Sequence, residues 1–117
     1  MTGRFPRRER LTRSADIQAL FQQGKRIERP LLTVLWREAD GPCRAGFAVT
    51  RQIRGAVRRN RARRRLREAY RAVRGAAPAA VDVVVIAKRG ALDREFTGIA
   101  AQLRDALGSI PGPRRPA

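Results

Sequence analysis

The sequence predicts a mixed α/β two-layer sandwich, with helices packed on a small sheet in the order α-β-β-α-β-α. Three observations lead there. The segment Val81 to Lys88 (VDVVVIAK) is almost continuously apolar, as a strand covered on both faces is. Helical apolar periodicity on either side of strand-like segments places a strand, a helix and a strand in the middle of the chain. At 117 residues and 43% hydrophobic content, the chain supplies one modest core and not two.

The first dozen residues (MTGRFPRRERLT) carry four Arg and one Pro without apolar periodicity, and read as a basic arm, 1–12. A helix follows, with Ser14 as N-cap, Asp16 favouring the dipole in its first turn, Ile17, Leu20 and Phe21 as its apolar stripe and Gly24 as its stop. Leu31 to Arg37 (LLTVLWR) reads as a strand, and Asp40, Gly41 and Pro42 supply turn chemistry. A return strand, Arg44 to Thr50, alternates Ala45, Phe47 and Val49 on one face with Gly46, Ala48 and Thr50 on the other. A long helix spans about Gly55 to Arg74, stopped by Gly75 and Pro78. After the apolar strand comes a last helix, capped by Asp93, with Phe96, Ile99, Ala100, Leu103 and Leu107 at helical spacing. The single domain is therefore expected at 13–108, with a disordered Pro/Arg-rich tail at 109–117.

Composition restricts function. Twenty-seven Lys and Arg against ten Asp and Glu give a formal charge of +17, which points to a polyanionic partner, nucleic acid before anionic membrane. No His and one Cys exclude Ser/His/Asp and Cys/His catalysis, Cys₂His₂ zinc sites and an internal disulfide. The lone thiol, Cys43, reads as a small filler near a turn and suits a reducing cytosol. Neither an export signal nor a membrane-length apolar stretch is visible, so the expected location is cytoplasmic, with no membrane partner. The scattered carboxylates suggest neither a metal cluster nor a catalytic pair, and no small-molecule substrate site is apparent.

The charge is focused. Arg51 to Arg74 contains eleven Arg and one acid, Glu68. On the long helix, Ala62, Leu66, Ala69, Tyr70 and Val73 form the core-facing stripe, while Asn60, Arg64, Arg67 and Arg71 recur along the other side, flanked by Arg63 and Arg74. That basic stripe is about 16 Å long and suits a phosphate backbone, which guanidinium forks engage bidentately while condensed counterions are released. Asn60 offers a donor and an acceptor, for a base edge, a 2′-hydroxyl or a local backbone bond. A second surface lies at the first helix. If Phe21 borders the sheet face formed by Leu31 to Arg37 and Phe47, the bases of a single strand can pack there; core packing is the alternative for Phe21, Ile17, Phe47, Phe96 and Trp36.

The stretch Ala56 to Tyr70 (AVRRNRARRRLREAY) resembles the protein subunit of bacterial ribonuclease P. The family's Arg-Asn-Arg signature, preceded by Ala-Val, is matched by Arg59, Asn60 and Arg61, and its following basic positions by Arg63, Arg64 and Arg67. Arg10, Leu11, Asp16, Phe21 and Gly24 match its N-terminal pattern, and Gly46, Val49, Thr50 and Arg51 its strand end. The resemblance implies a ribonucleoprotein that removes the 5′ leader of precursor tRNA, with Mg²⁺ held by a large catalytic RNA. It also implies a left-handed crossover between the parallel strands, against the general rule. By position, Arg58, Arg59, Asn60, Arg61, Arg63, Arg64, Arg67 and Arg71 would face the RNA subunit. Ile17, Phe21, Thr33 and Leu35, with Phe47, would line a leader cleft, and Thr50 and Arg51 would sit where leader and RNA converge. Ile17 stands where an aromatic is usual and Leu35 where some relatives have Tyr, so apolar packing should outweigh base stacking. A ribosomal or general RNA-binding protein is the competing reading.

Overall fold

The computed structural model describes residues 9–92 and 96–114, in which the elements run α1 (Ser14–Gln23), β1 (Lys25–Glu28), β2 (Leu32–Glu38), β3 (Arg44–Val49), α2 (Ala56–Val73), β4 (Val81–Ala87) and α3 (Phe96–Gly108). The four strands form one sheet in the order β1-β2-β4-β3. All seven residues of β4 are buried, because it has a strand on each side and helices on each face. It pairs antiparallel with β2, from Leu32 opposite Ala87 to Glu38 opposite Val81, and parallel with β3, from Arg44 opposite Asp82 to Val49 opposite Ala87. The helix α2 connects the parallel pair.

The expected mixed α/β sandwich is what forms, with two differences in the sheet. The segment 25–28 adds a strand that sequence reading did not anticipate, since KRIE contains one apolar residue; it is an edge strand, held by pairing with β2. Nor does β3 return alongside β2. A strand apolar on both faces needs neighbours on both sides, so β4 enters between them and the turn at 40–42 carries the chain across its position.

The sheet faces have separate cores. Val34, Trp36, Val83 and Val85 pack with Ala62, Leu66, Ala69, Tyr70 and Val73 of α2, its expected stripe, and with Ile99, Ala100, Leu103 and Leu107 of the stripe expected for α3. Cys43 is buried in this core, 3.4 Å from the Tyr70 hydroxyl. On the opposite face, Leu35, Val84 and Ile86 meet Leu20 of α1 and Leu11 of the arm, with Ile17 and Ala48 half-buried beside them. The two-layer description thus fits the sheet with α2 and α3, and α1 adds a partial third layer.

Two close approaches need glycine. The chain leaves α1 at Gly24, where a Cβ would stand 2.5 Å from the Leu20 carbonyl oxygen. Leu11 crosses the open edge of β3, its N–H donating to the Ala45 carbonyl at 2.9 Å, and a Cβ on Gly46 would lie 2.9 Å from the Leu11 oxygen. The tail departs from expectation. Residues 109–114 are tied to the domain: Ile110 is buried, Ala79 N–H donates to the Pro113 carbonyl, and the Arg114 guanidinium donates to the carbonyls of Gly108, Ile110 and Gly112. Pro and Gly hide this packing in the composition, but an apolar anchor and one Arg satisfy the backbone. Residues 1–8 of the arm, the Asp93 cap, the Phe96 side chain and 115–117 lie outside the described residues.

Candidate nucleic-acid interface

The basic helix begins at Gly55, whose φ of +90° lets the chain turn sharply out of the loop that follows β3. That loop is internally tied. The Thr50 N–H donates to Ala87, the Thr50 hydroxyl accepts from the Gln52 N–H, and Ile53 is fully buried beneath. Arg59 completes it: its guanidinium donates to the carbonyls of Thr50 and Ile53 at 2.9 Å each and of Val49 at 3.2 Å. Expected to face RNA, Arg59 instead spends its donors on its own loop, and is half-buried. Arg65, on the same helix, donates to the Ala91 carbonyl at 3.1 Å.

The remaining basic positions behave as expected from the helical wheel. Arg58, Asn60, Arg61, Arg64, Arg67 and Arg71 are exposed, and Arg63 is half-buried. The Asn60 side-chain oxygen accepts from the Arg63 guanidinium at 2.9 Å, a local bond that is not a cap. Arg67 and Arg71 also border a depression with Arg10, Thr12 and Phe47 at the edge of β3.

That depression bears on the second surface. Phe47 belongs to the α2 side of the sheet, its ring edge-on to Tyr70 with centroids 5.7 Å apart, so it does not join Leu35. The alternation in β3 already separated Phe47 from Ala48 and Thr50, and the cleft takes the small-residue face. The structure brings Ile17, Phe21 and Leu35 to the α1 side, with Leu35 buried, Ile17 half-buried and Phe21 51% exposed. Thr33 is on that side too, but it is buried and its hydroxyl donates to a Glu28 carboxylate oxygen at 2.7 Å. Ala48 and Ile86, unforeseen, extend the apolar floor.

Each end of this face is polar. At one, buried Asp82 accepts from Arg37 and Arg44, and Asp16 of α1 approaches both guanidinium groups, at 3.4 and 3.7 Å. Hydrogen bonding to Asp82 raises the affinity of the Arg44 guanidinium for its proton. At the other, Lys88 meets Glu28 at 2.8 Å, and hydrogen bonds from Lys88 and Thr33 hold the Glu28 carboxyl below the usual glutamate range. Thr50 and Arg51 lie here beside Lys88 and Arg89. Sequence reading missed Lys88 and Arg89 because it took β3 as a hairpin return; parallel strands in register end together, so residues following each become neighbours.

An Arg-lined helix on one side of the sheet and, on the other, a small apolar cluster with Phe21 exposed at its edge suit a nucleic-acid-binding α/β protein. The ribonuclease P family model matches residues 5–111. The ribonuclease P protein component of Gluconacetobacter diazotrophicus is 38% identical over 104 residues, covering 86% of this chain and 90% of that protein. The component of Thermotoga maritima is 37% identical over 97 residues, covering 82% of each. Among solved structures, the RNase P protein from Thermotoga maritima superposes with a TM-score of 0.78 at 30% identity, covering 89% of this chain and 99% of that one. The Staphylococcus aureus RNase P protein gives 0.71 at 26%, covering 85% and 92%. The chain belongs to the ribonuclease P protein family, the protein subunit of the endoribonuclease that matures tRNA 5′ ends, and its partner is the ribonuclease P RNA.

Proposed function

We propose that this chain is the binding subunit of a ribonuclease P whose RNA performs the hydrolysis: the exposed stripe of α2 holds the RNA, and the cleft beside α1 takes the single-stranded 5′ leader of precursor tRNA. The observation that carries this reading is the placement of the two surfaces on opposite faces of one sheet, joined at the end where Thr50, Arg51, Lys88 and Arg89 meet. A protein so built can hold two polyanions at once and screen their repulsion. Side-chain chemistry supports this division of labour. The chain has no His, its Cys is buried, and Asp16, Asp82, Glu28, Asp105 and Glu9 are each paired with Lys or Arg. Carboxylates neutralised in this way do not suit Mg²⁺, and among the described residues no three acidic, Cys or His groups gather. We assign Mg²⁺ to the RNA and its substrate.

The cleft offers contact to bases through Phe21 and Ile17 and to phosphates through Arg51, so leader recognition is mainly apolar and electrostatic. No described helix is long and apolar enough to cross a membrane; we place the protein in the cytoplasm, with its RNA and precursor tRNA. The test is the affinity of the reconstituted complex for precursor tRNA with and without its leader. The protein should strengthen binding of the leader-bearing substrate alone, and Phe21→Ala should reduce that gain several-fold. An equal gain for leaderless tRNA would refute the cleft assignment.

A further inference from the structure

Two large apolar side chains stand exposed among the described residues, Phe21 and Val57. Phe21 has a place in the cleft. Val57 does not: it is 82% exposed in the first turn of α2, on the far side of the sheet from α1. Its neighbours in sequence and one turn along, Arg54, Arg58 and Arg61, are exposed as well, so the side chain sits in a field of guanidinium groups. Nothing local accounts for it. A β-branched residue at an exposed helical position is a poorer helix former than Ala, and it packs against no core here.

We propose that Val57 is an apolar contact for an unstacked nucleobase of the RNA subunit. This rests on the reading that the α2 face binds that RNA. The surrounding charge selects a polyanion, and the apolar centre selects one that presents apolar surface. Regular RNA helices expose phosphates and 2′-hydroxyls while their base faces stay stacked; a loop or bulge can splay a base outward. A base lying on Val57 would have its phosphates within reach of Arg54, Arg58 and Arg61, combining a sequence-blind charge contact with a shape-dependent apolar one. The arrangement would set the register of the helix on the RNA, which charge alone does not fix.

The experiment is binding of the RNA subunit across a range of salt, with the wild type, Val57→Ala and Arg64→Ala, together with chemical probing of unpaired bases. Removing two buried methyl groups should weaken binding about tenfold. Because that contribution releases no counterions, the slope of log K against log salt should stay unchanged, whereas Arg64→Ala should reduce it by about one. One loop or bulge base should be protected by the wild type and reactive with Val57→Ala. Thermal melting of the free variant should be no lower than that of the wild type, since Ala is the better helix former, and Val57→Ile should bind normally. Val57→Ala binding within twofold of wild type, a changed salt slope, or no base altering its reactivity would overturn the proposal. If Arg64→Ala also binds as wild type with an unchanged slope, the failure lies with the assignment of the α2 face itself.

Discussion

Arg59 and Arg64 carry the same charge on the same helix and do different work. Arg59 donates to three carbonyls that organise the loop before α2, so Arg59→Ala removes these charge-assisted bonds and should cost about 2 kcal/mol of folding stability. Arg64 is exposed, and Arg64→Ala should leave thermal melting unchanged while weakening RNA binding. Melting and RNA titration of the two variants separate these roles; equal loss of stability would contradict them. Glu28 provides a pH signature. Its carboxylate is favoured by the fold through Lys88 and Thr33, so its contribution is complete above the ordinary glutamate range and fades as pH falls through the lowered value. The melting temperature of the wild type should therefore fall faster than that of Glu28→Gln between about pH 6 and about pH 3. Parallel curves would show that the Lys88–Glu28–Thr33 cluster contributes nothing.

Among the elements, the N-terminal segment joins the two surfaces. Leu11 is in the cleft-side core and its N–H bonds to Ala45 across the edge of β3, while Glu9 grips Arg74 at 2.7 Å behind the end of α2. Gly46→Ala would push a Cβ against the Leu11 carbonyl oxygen, backbone that cannot swing aside. That variant should lose about 1–3 kcal/mol in denaturant unfolding and also bind leader less well; wild-type stability would mean the crossing is loose. Much of this level is readable from the chain. The stripe Ala62, Leu66, Ala69, Tyr70 and Val73 and the unbroken run of β4 state their own burial, because helix period and two-sided cover leave a direct imprint. What escapes is set by partners distant in sequence. KRIE becomes a strand by pairing with β2, β3 takes its neighbour from β4, and Phe47 shows its alternation phase but not which face α1 covers. Charge identity escapes too: Arg59 and Arg64 look alike until the loop carbonyls are seen. Most exposed basic positions of α2, in contrast, are legible from the helix period alone.

For the molecule as a whole, the proposed function makes +17 on 117 residues a means of bringing two nucleic acids together on opposite faces of one sheet. Binding that strengthens the encounter of RNA and substrate raises cleavage at subsaturating substrate without a protein group touching the reacting phosphate. That separation of binding from chemistry is open to a single comparison: cleavage of a leader-bearing precursor tRNA at low Mg²⁺ by a bacterial ribonuclease P RNA alone, by this protein alone, and by the two together. The account predicts mature 5′ ends with the pair, little from the RNA alone, and none from the protein alone at any Mg²⁺ concentration. Cleavage by the protein without RNA, or a cognate RNA that binds the protein tightly and gains nothing from it, would contradict it.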